Sequence, residues 1–129
     1  MFAKTVSVMF RGKKYFLAYN AWAMFQIQDL SPEKGVMEIL AAQGKEGFSL
    51  FCKAAALMSE AAEGISRYEG RDGQEALKSE QVMNLARPVD LLELRRAMLE
   101  AVAHGYGREM NEEAEEVDLG LAELQKKTD

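Results

Sequence analysis

The stretch Phe48–Tyr68 reads FSLFCKAAALMSEAAEGISRY, and its spacing decides the fold. Phe48, Phe51, Ala55, Met58, Ala62 and Ile65 recur at steps of 3-4-3-4-3, which is one face of an α-helix. Leu50, Ala54, Leu57 and Ala61 widen that stripe. Only Ser49, Lys53, Glu60, Glu63 and Arg67 are left to form a narrow polar strip. A helix that is apolar nearly all round is buried from more than one side. It is either the central helix of a domain or a helix that faces both its own core and a partner chain.

Toward the N-terminus the period changes from helical to two. Val6, Val8 and Phe10 alternate with Thr5, Ser7 and Met9, and Tyr15, Leu17 and Tyr19 alternate on the return. Arg11-Gly12 between them makes a two-residue loop, where Gly tolerates the positive φ of a primed turn. This loop predicts the pairs Phe10–Lys13, Val8–Tyr15 and Val6–Leu17, which gather the apolar residues of a 5–19 hairpin on one face. A lone hairpin is marginal in water, so it must lie on helices or gain strands from another chain. Asn20 then reads as the N-cap of a helix from Ala21 to about Asp29. Ser31-Pro32 predicts a second helix, with Ser as cap and Pro at its first position, running to about Gln43 and ended by Gly44.

Toward the C-terminus, residues 69–78 read as a polar, mobile loop. Ser79 is expected to cap a short helix to about Ala86, and Pro88 opens a strong one to about His104, stopped by Gly105 and Gly107. Leu91, Leu94, Met98 and Val102 form its stripe. The expected fold class is therefore α+β and mostly helical: an N-terminal β-hairpin followed by about five helices and an acidic C-terminal segment. The expected organisation is one hairpin-plus-helices domain over 1–107 and an acidic helix or disordered tail over 108–129.

Charge narrows the classes of partner. Residues 1–107 hold 13 Lys/Arg and 13 Asp/Glu, whereas 108–129 hold 3 and 8, so the net charge of −5 resides in the last segment. A neutral body with an acidic tail argues against duplex DNA or an anionic membrane as the partner. The longest uncharged run, Tyr15 to Gln28, has 14 residues and is too short to span a bilayer. The single cysteine cannot form an internal disulfide, which points to a cytosolic chain.

No constellation supports an enzyme. Cys52 sits in an apolar run and reads as a small hydrophobe, and His104 falls on the polar face of its helix, in the last turn. Glu109, Glu112, Glu113, Glu116 and Asp118 lack the spacing of a calcium loop and read as a solvated acidic segment. No Gly-rich phosphate cradle is present, and no catalytic residue, metal site or cofactor is expected. Ser79–Val102 could mimic a helix-turn-helix, but its outward face mixes Asp90, Glu93, Arg96 and Glu100, which does not suit DNA. The eight Met and the aromatics Trp22, Phe25, Phe48 and Phe51 mostly fill a core, with a minority left for an adaptable binding surface. The candidates for a partner-binding or oligomer surface are Phe48, Phe51, Leu57, Met58, Ile65 and Arg95. Arg95 lies inside the apolar stripe of its helix, either snorkelling at the edge or paired to a carboxylate on another helix or chain.

With these elements placed, the chain resembles the small tail assembly chaperones of long-tailed bacteriophages. The resemblance covers about residues 5–105. A short strand leads to Gly12-Lys13-Lys14-Tyr15 and a second strand, then Tyr19-Asn20-Ala21 opens a helix. Ser31-Pro32-Glu33 with Val36-Met37-Glu38-Ile39-Leu40 follows, then the long apolar helix, a polar loop, Ser79-Glu80-Gln81-Val82 and Pro88-Val89-Asp90-Leu91-Leu92. The resemblance implies a non-enzymatic prophage or phage protein of the host cytoplasm, and a homo-oligomer is expected from the residues themselves, since the hairpin has two edges and the long helix has more apolar surface than one core needs. Its implied partners are the tail tape measure protein, kept soluble before the tube polymerises around it, and the tail tube protein. In such families ribosomes often slip near the gene's end to make a longer product, and Lys126-Lys127 reads either as a slip site of that kind or, more simply, as a surface pair in a polar tail. The reading that competes with the resemblance is an intracellular helical interaction or regulatory domain unrelated to tails.

Overall fold

The computed structural model describes residues 5–71 and 75–107. The acidic segment 108–129, its carboxylate cluster and Lys126-Lys127 lie outside the described residues.

Two strands, β1 (Val6–Phe10) and β2 (Lys13–Leu17), form an antiparallel hairpin with Val6 opposite Leu17, Val8 opposite Tyr15 and Phe10 opposite Lys13. This is the register that the alternation predicts. Arg11 and Gly12 both take positive φ, 54° and 80°, as a primed turn requires. Val6, Val8, Phe10, Tyr15 and Leu17 point inward and are buried. Five helices follow: α1 (Ala21–Leu30), α2 (Val36–Ala41), α3 (Gly44–Tyr68), α4 (Ser79–Leu85) and α5 (Pro88–Gly105). The fold is thus α+β and mostly helical.

Of the two readings of the long apolar helix, the first describes its place here. α3 touches β2, α1, α2, α4 and α5, so most of its apolar surface is used inside the chain, while Phe48, Leu50, Leu57 and Ile65 stay partly exposed. The hairpin lies on helices, β2 against α3 and β1 against α5. A main-chain bond from the Ala18 N–H to the Met58 carbonyl (3.0 Å) ties the end of the hairpin to the middle of α3. Fully buried Phe10, Leu17, Ile27, Ile39, Leu40, Met58, Val82, Leu94 and Met98 draw every element into one core.

Three boundaries differ from the sequence reading, each for a local reason. The second helix does not begin at Ser31-Pro32. Ser31 closes α1, its hydroxyl meets the Glu33 carboxylate (3.3 Å), and the Lys34 N–H returns to its carbonyl (2.9 Å), which makes a turn. α2 starts at Val36, where the Glu38 carboxylate reaches back to the Gly35 N–H (3.4 Å). It ends at Ala41, and Gly44, expected to end it, opens α3 with φ +83°. The corner is tight. A Cβ on Gly47 would come within 2.8 Å of Ala42, so only glycine lets α3 turn back so closely on α2. Lastly, Lys78 and not Ser79 is the N-cap of α4, its N–H bonded to the Gln81 side chain (2.8 Å).

The described end of the 69–78 loop is anchored. Leu77 is buried, and its N–H donates to the hydroxyl of buried Ser59 (2.8 Å). α5 starts as its Pro predicts, with Asp90 accepting from the Arg87 N–H (2.9 Å) and guanidinium (3.1 Å). This ion pair holds the Asp90 carboxyl below its usual range.

Candidate functional site

The residues expected on a shared surface divide between the core and partly exposed positions. Phe51 and Met58, at 3% and 0% exposure, belong to the core of the chain itself, because α3 is covered by neighbours on the sides they face. Phe48 and Leu57 are half-buried and rest against that core. Arg95 is also an internal residue. Its Nε donates to the main-chain carbonyl of Leu40 (2.8 Å), and its guanidinium stands over the Phe51 ring at 5.4 Å. Leu40 lies in the last turn of α2, where carbonyls have no partner in the next turn. Arg95 therefore caps α2 from α5, which neither sequence reading had foreseen.

Ile65, of the expected group, reaches a recess. Between the start of α1 and the C-terminal half of α3 lies an open groove of about 630 Å³. Trp22, Gly64, Ile65 and Tyr68 line it, and Glu60, Glu63, Arg67 and Glu69 carry its charge. The phase of α1 explains the placement. The Asn20 side chain accepts from the Ala23 N–H (2.9 Å) and fixes where the helix begins. Ala23 and Ile27, one turn apart, are then buried, which leaves Trp22 and Phe25 turned outward at 44% and 58% exposure. Tyr68, at the end of α3, is 94% exposed. Trp22 and Phe25 thus belong to the minority of the Met and aromatic residues left for a surface. Large aromatics are usually assigned inward, and the Ala23/Ile27 pair is the sequence signal that would have turned them out.

Electrostatics around the groove is acidic. Three carboxylates face one guanidinium, and Arg67 is already bonded to Glu63 (2.9 Å). Glu69 engages Arg71, while Glu60 has no ion-pair partner among the described residues.

The other chemically distinctive side chains lie elsewhere. Cys52 is fully buried in α3, and burial pushes its thiol up to about 11, so it is no nucleophile at neutral pH. His104 sits in the last turn of α5. The Tyr19 and Tyr106 rings meet at 5.9 Å with their planes tilted by 46°, and burial and the neighbouring phenol raise the Tyr19 pKa. Among the described residues no group of three His, Cys, Asp or Glu could hold a metal ion, and no helix is long and apolar enough to cross a membrane.

Compared with protein-family models, with curated proteins and with solved structures, the chain matches none.

Proposed function

We propose that this protein is a non-enzymatic tail assembly chaperone of a long-tailed phage or prophage, which binds the tape measure protein in the host cytoplasm and assists assembly of the tail tube. The observation that carries the reading is the apolar face built by Trp22, Phe25, Ile65 and Tyr68. A chain of this size has a well-filled core and still leaves three large aromatics turned out along two adjacent helices. Monomeric surfaces with such patches serve as interaction sites. A groove between helices suits the apolar face of another helix, and the tape measure protein is a long, helical, apolar client. The element order supports the same reading, since hairpin, helix, short helix, long apolar helix, short helix and strong helix follow one another as the resemblance implies. The hairpin adds a route to self-association, because each strand of this two-stranded sheet has one side without a strand neighbour among the described residues.

The test is co-expression. A tail chaperone gene should lie between the tail tube gene and a very long tape measure gene. Expressed alone, that tape measure protein should be insoluble. Co-expressed with this chain, it should become soluble and co-purify. If the chain leaves it insoluble and elutes without it, the proposal is wrong.

A further inference from the structure

We infer that the groove between α1 and α3 takes a basic amphipathic helix, seated on Trp22, Ile65 and Tyr68 with its backbone drawn close over Gly64. This deepens the chaperone reading and rests on it.

Gly64 is the first reason. It lies inside α3, where glycine costs helix stability of about 1 kcal/mol relative to alanine. Its φ is not positive, so its conformation does not demand glycine. A Cβ there would meet nothing within 4 Å, so the packing of this chain does not demand glycine either. Gly47 and Gly105 differ in this respect, since a Cβ on each would collide with Ala42 or Tyr19. The missing side chain at 64 leaves room that the described residues do not fill, at the wall of the groove. Glycine at such a place lets another backbone approach closely.

The exposure of Tyr68 decides the shape of the occupant. A small ligand within the recess would leave a ring that is 94% exposed largely in water. A helix laid along the groove would cover Tyr68 and Trp22 together, and Phe25 one turn further along α1 extends the same apolar line. Aromatic anchors of this kind dominate the energy of helix-in-groove binding.

Charge decides its composition. Glu63 is paired with Arg67 and Glu69 with Arg71, so Glu60 is the carboxylate at the groove left without an ion-pair partner among the described residues. An occupant flanked by Lys or Arg is attracted, and one flanked by Asp or Glu is repelled.

Trp22 is the only tryptophan in the chain, so its emission reports on the groove directly. The probe is a Trp-free amphipathic peptide of about 18 residues made of Leu and Lys, with a Leu/Glu peptide of the same apolar pattern as control. The Leu/Lys peptide should shift the Trp22 emission to the blue with saturation, and the Leu/Glu peptide should not. Gly64→Leu puts a side chain where the open space allows it, keeps the helix, and should weaken the Leu/Lys peptide at least tenfold. Glu60→Gln with Glu63→Gln should weaken it by about three- to tenfold at low salt and have little effect at high salt. Unchanged circular dichroism of each variant verifies the fold. Equal binding of both peptides, or a Gly64→Leu protein that binds as well as the parent, overturns the inference. So does a parent dimer that Gly64→Leu converts to monomer, since a second copy would then be the occupant. The same variant separates this inference from the chaperone reading. If the tape measure protein co-purifies equally with parent and Gly64→Leu, the groove is not the site and the chaperone reading stands. If the parent binds the Leu/Lys peptide at Trp22 yet captures no tape measure protein, the groove stands and the tail reading falls.

Discussion

Replacing Arg95 by alanine should destabilise the folded chain. Three terms set the size. The charged hydrogen bond to the Leu40 carbonyl, at 2.8 Å, is worth about 1.5–3 kcal/mol, and the lower end applies because Arg95 is only half-buried. The guanidinium over Phe51, at 5.4 Å, adds about 0.5 kcal/mol. Leu40 itself is 1% exposed, so water replaces the lost donor poorly and part of the desolvation cost remains. The total is about 2 kcal/mol, which in a domain of this size lowers Tm by roughly 10 °C. Arg95→Lys should recover only part of this, because an ammonium keeps the charge but not the planar face that stacks on Phe51. The assay is thermal unfolding by circular dichroism, with sedimentation of the same samples. An Arg95→Ala protein with unchanged Tm, or one that changes its oligomeric state and not its stability, refutes the internal capping role and restores Arg95 as an interface residue.

Gly64→Ala should raise Tm by several degrees, since a better helix former is placed where its Cβ meets nothing, a gain of up to about 1 kcal/mol; a lower Tm would show that Gly64 is needed by the fold. Gly105→Ala should do the opposite, because the new Cβ would lie 2.2 Å from the Tyr19 carbonyl oxygen, and the relaxation should cost about 1–3 kcal/mol in unfolding experiments. For Asp90 the folded-state pKa is depressed below 3.8, first by its bond to the Arg87 side chain, so its stabilising effect is present at neutral pH and is lost as the pH falls through that lowered value. The Tm gap between the parent protein and Asp90→Asn should therefore be open at pH 7 and close on acidification; a gap that is constant with pH contradicts the ion pair.

Much of the fold was legible because local and long-range demands agree in it. The alternation in 5–19 and the Arg11-Gly12 turn select the same register, and a one-residue slip would expose Val6, Val8 and Phe10 together. The 3-4 spacing in Phe48–Ile65 is long enough to be unambiguous. Ser31-Pro32 misled because it carries the local signature of a helix start, while the Ser31 hydroxyl is used by Glu33 and the residue ends the preceding helix. The site was less legible. Arg95 finds its acceptor 55 residues away, on a main-chain carbonyl that no side-chain pattern reveals. The groove depends on how α1 crosses α3, and only the phase of α1 was encoded locally, in Asn20, Ala23 and Ile27. Phe51 and Met58 are the widest part of the α3 stripe, and they were assigned to a shared surface because nothing in the local pattern tells how many neighbours will cover a helix.

Hydrogen exchange on the chain alone and on the chain co-purified with the tape measure protein tests the central claim most directly. The proposed account predicts new protection in the amides of 21–25 and 62–69, on the two helices that carry Trp22, Gly64 and Tyr68, with the hairpin and α5 unchanged. Protection confined to the hairpin or α5, with none at those two segments, would contradict it.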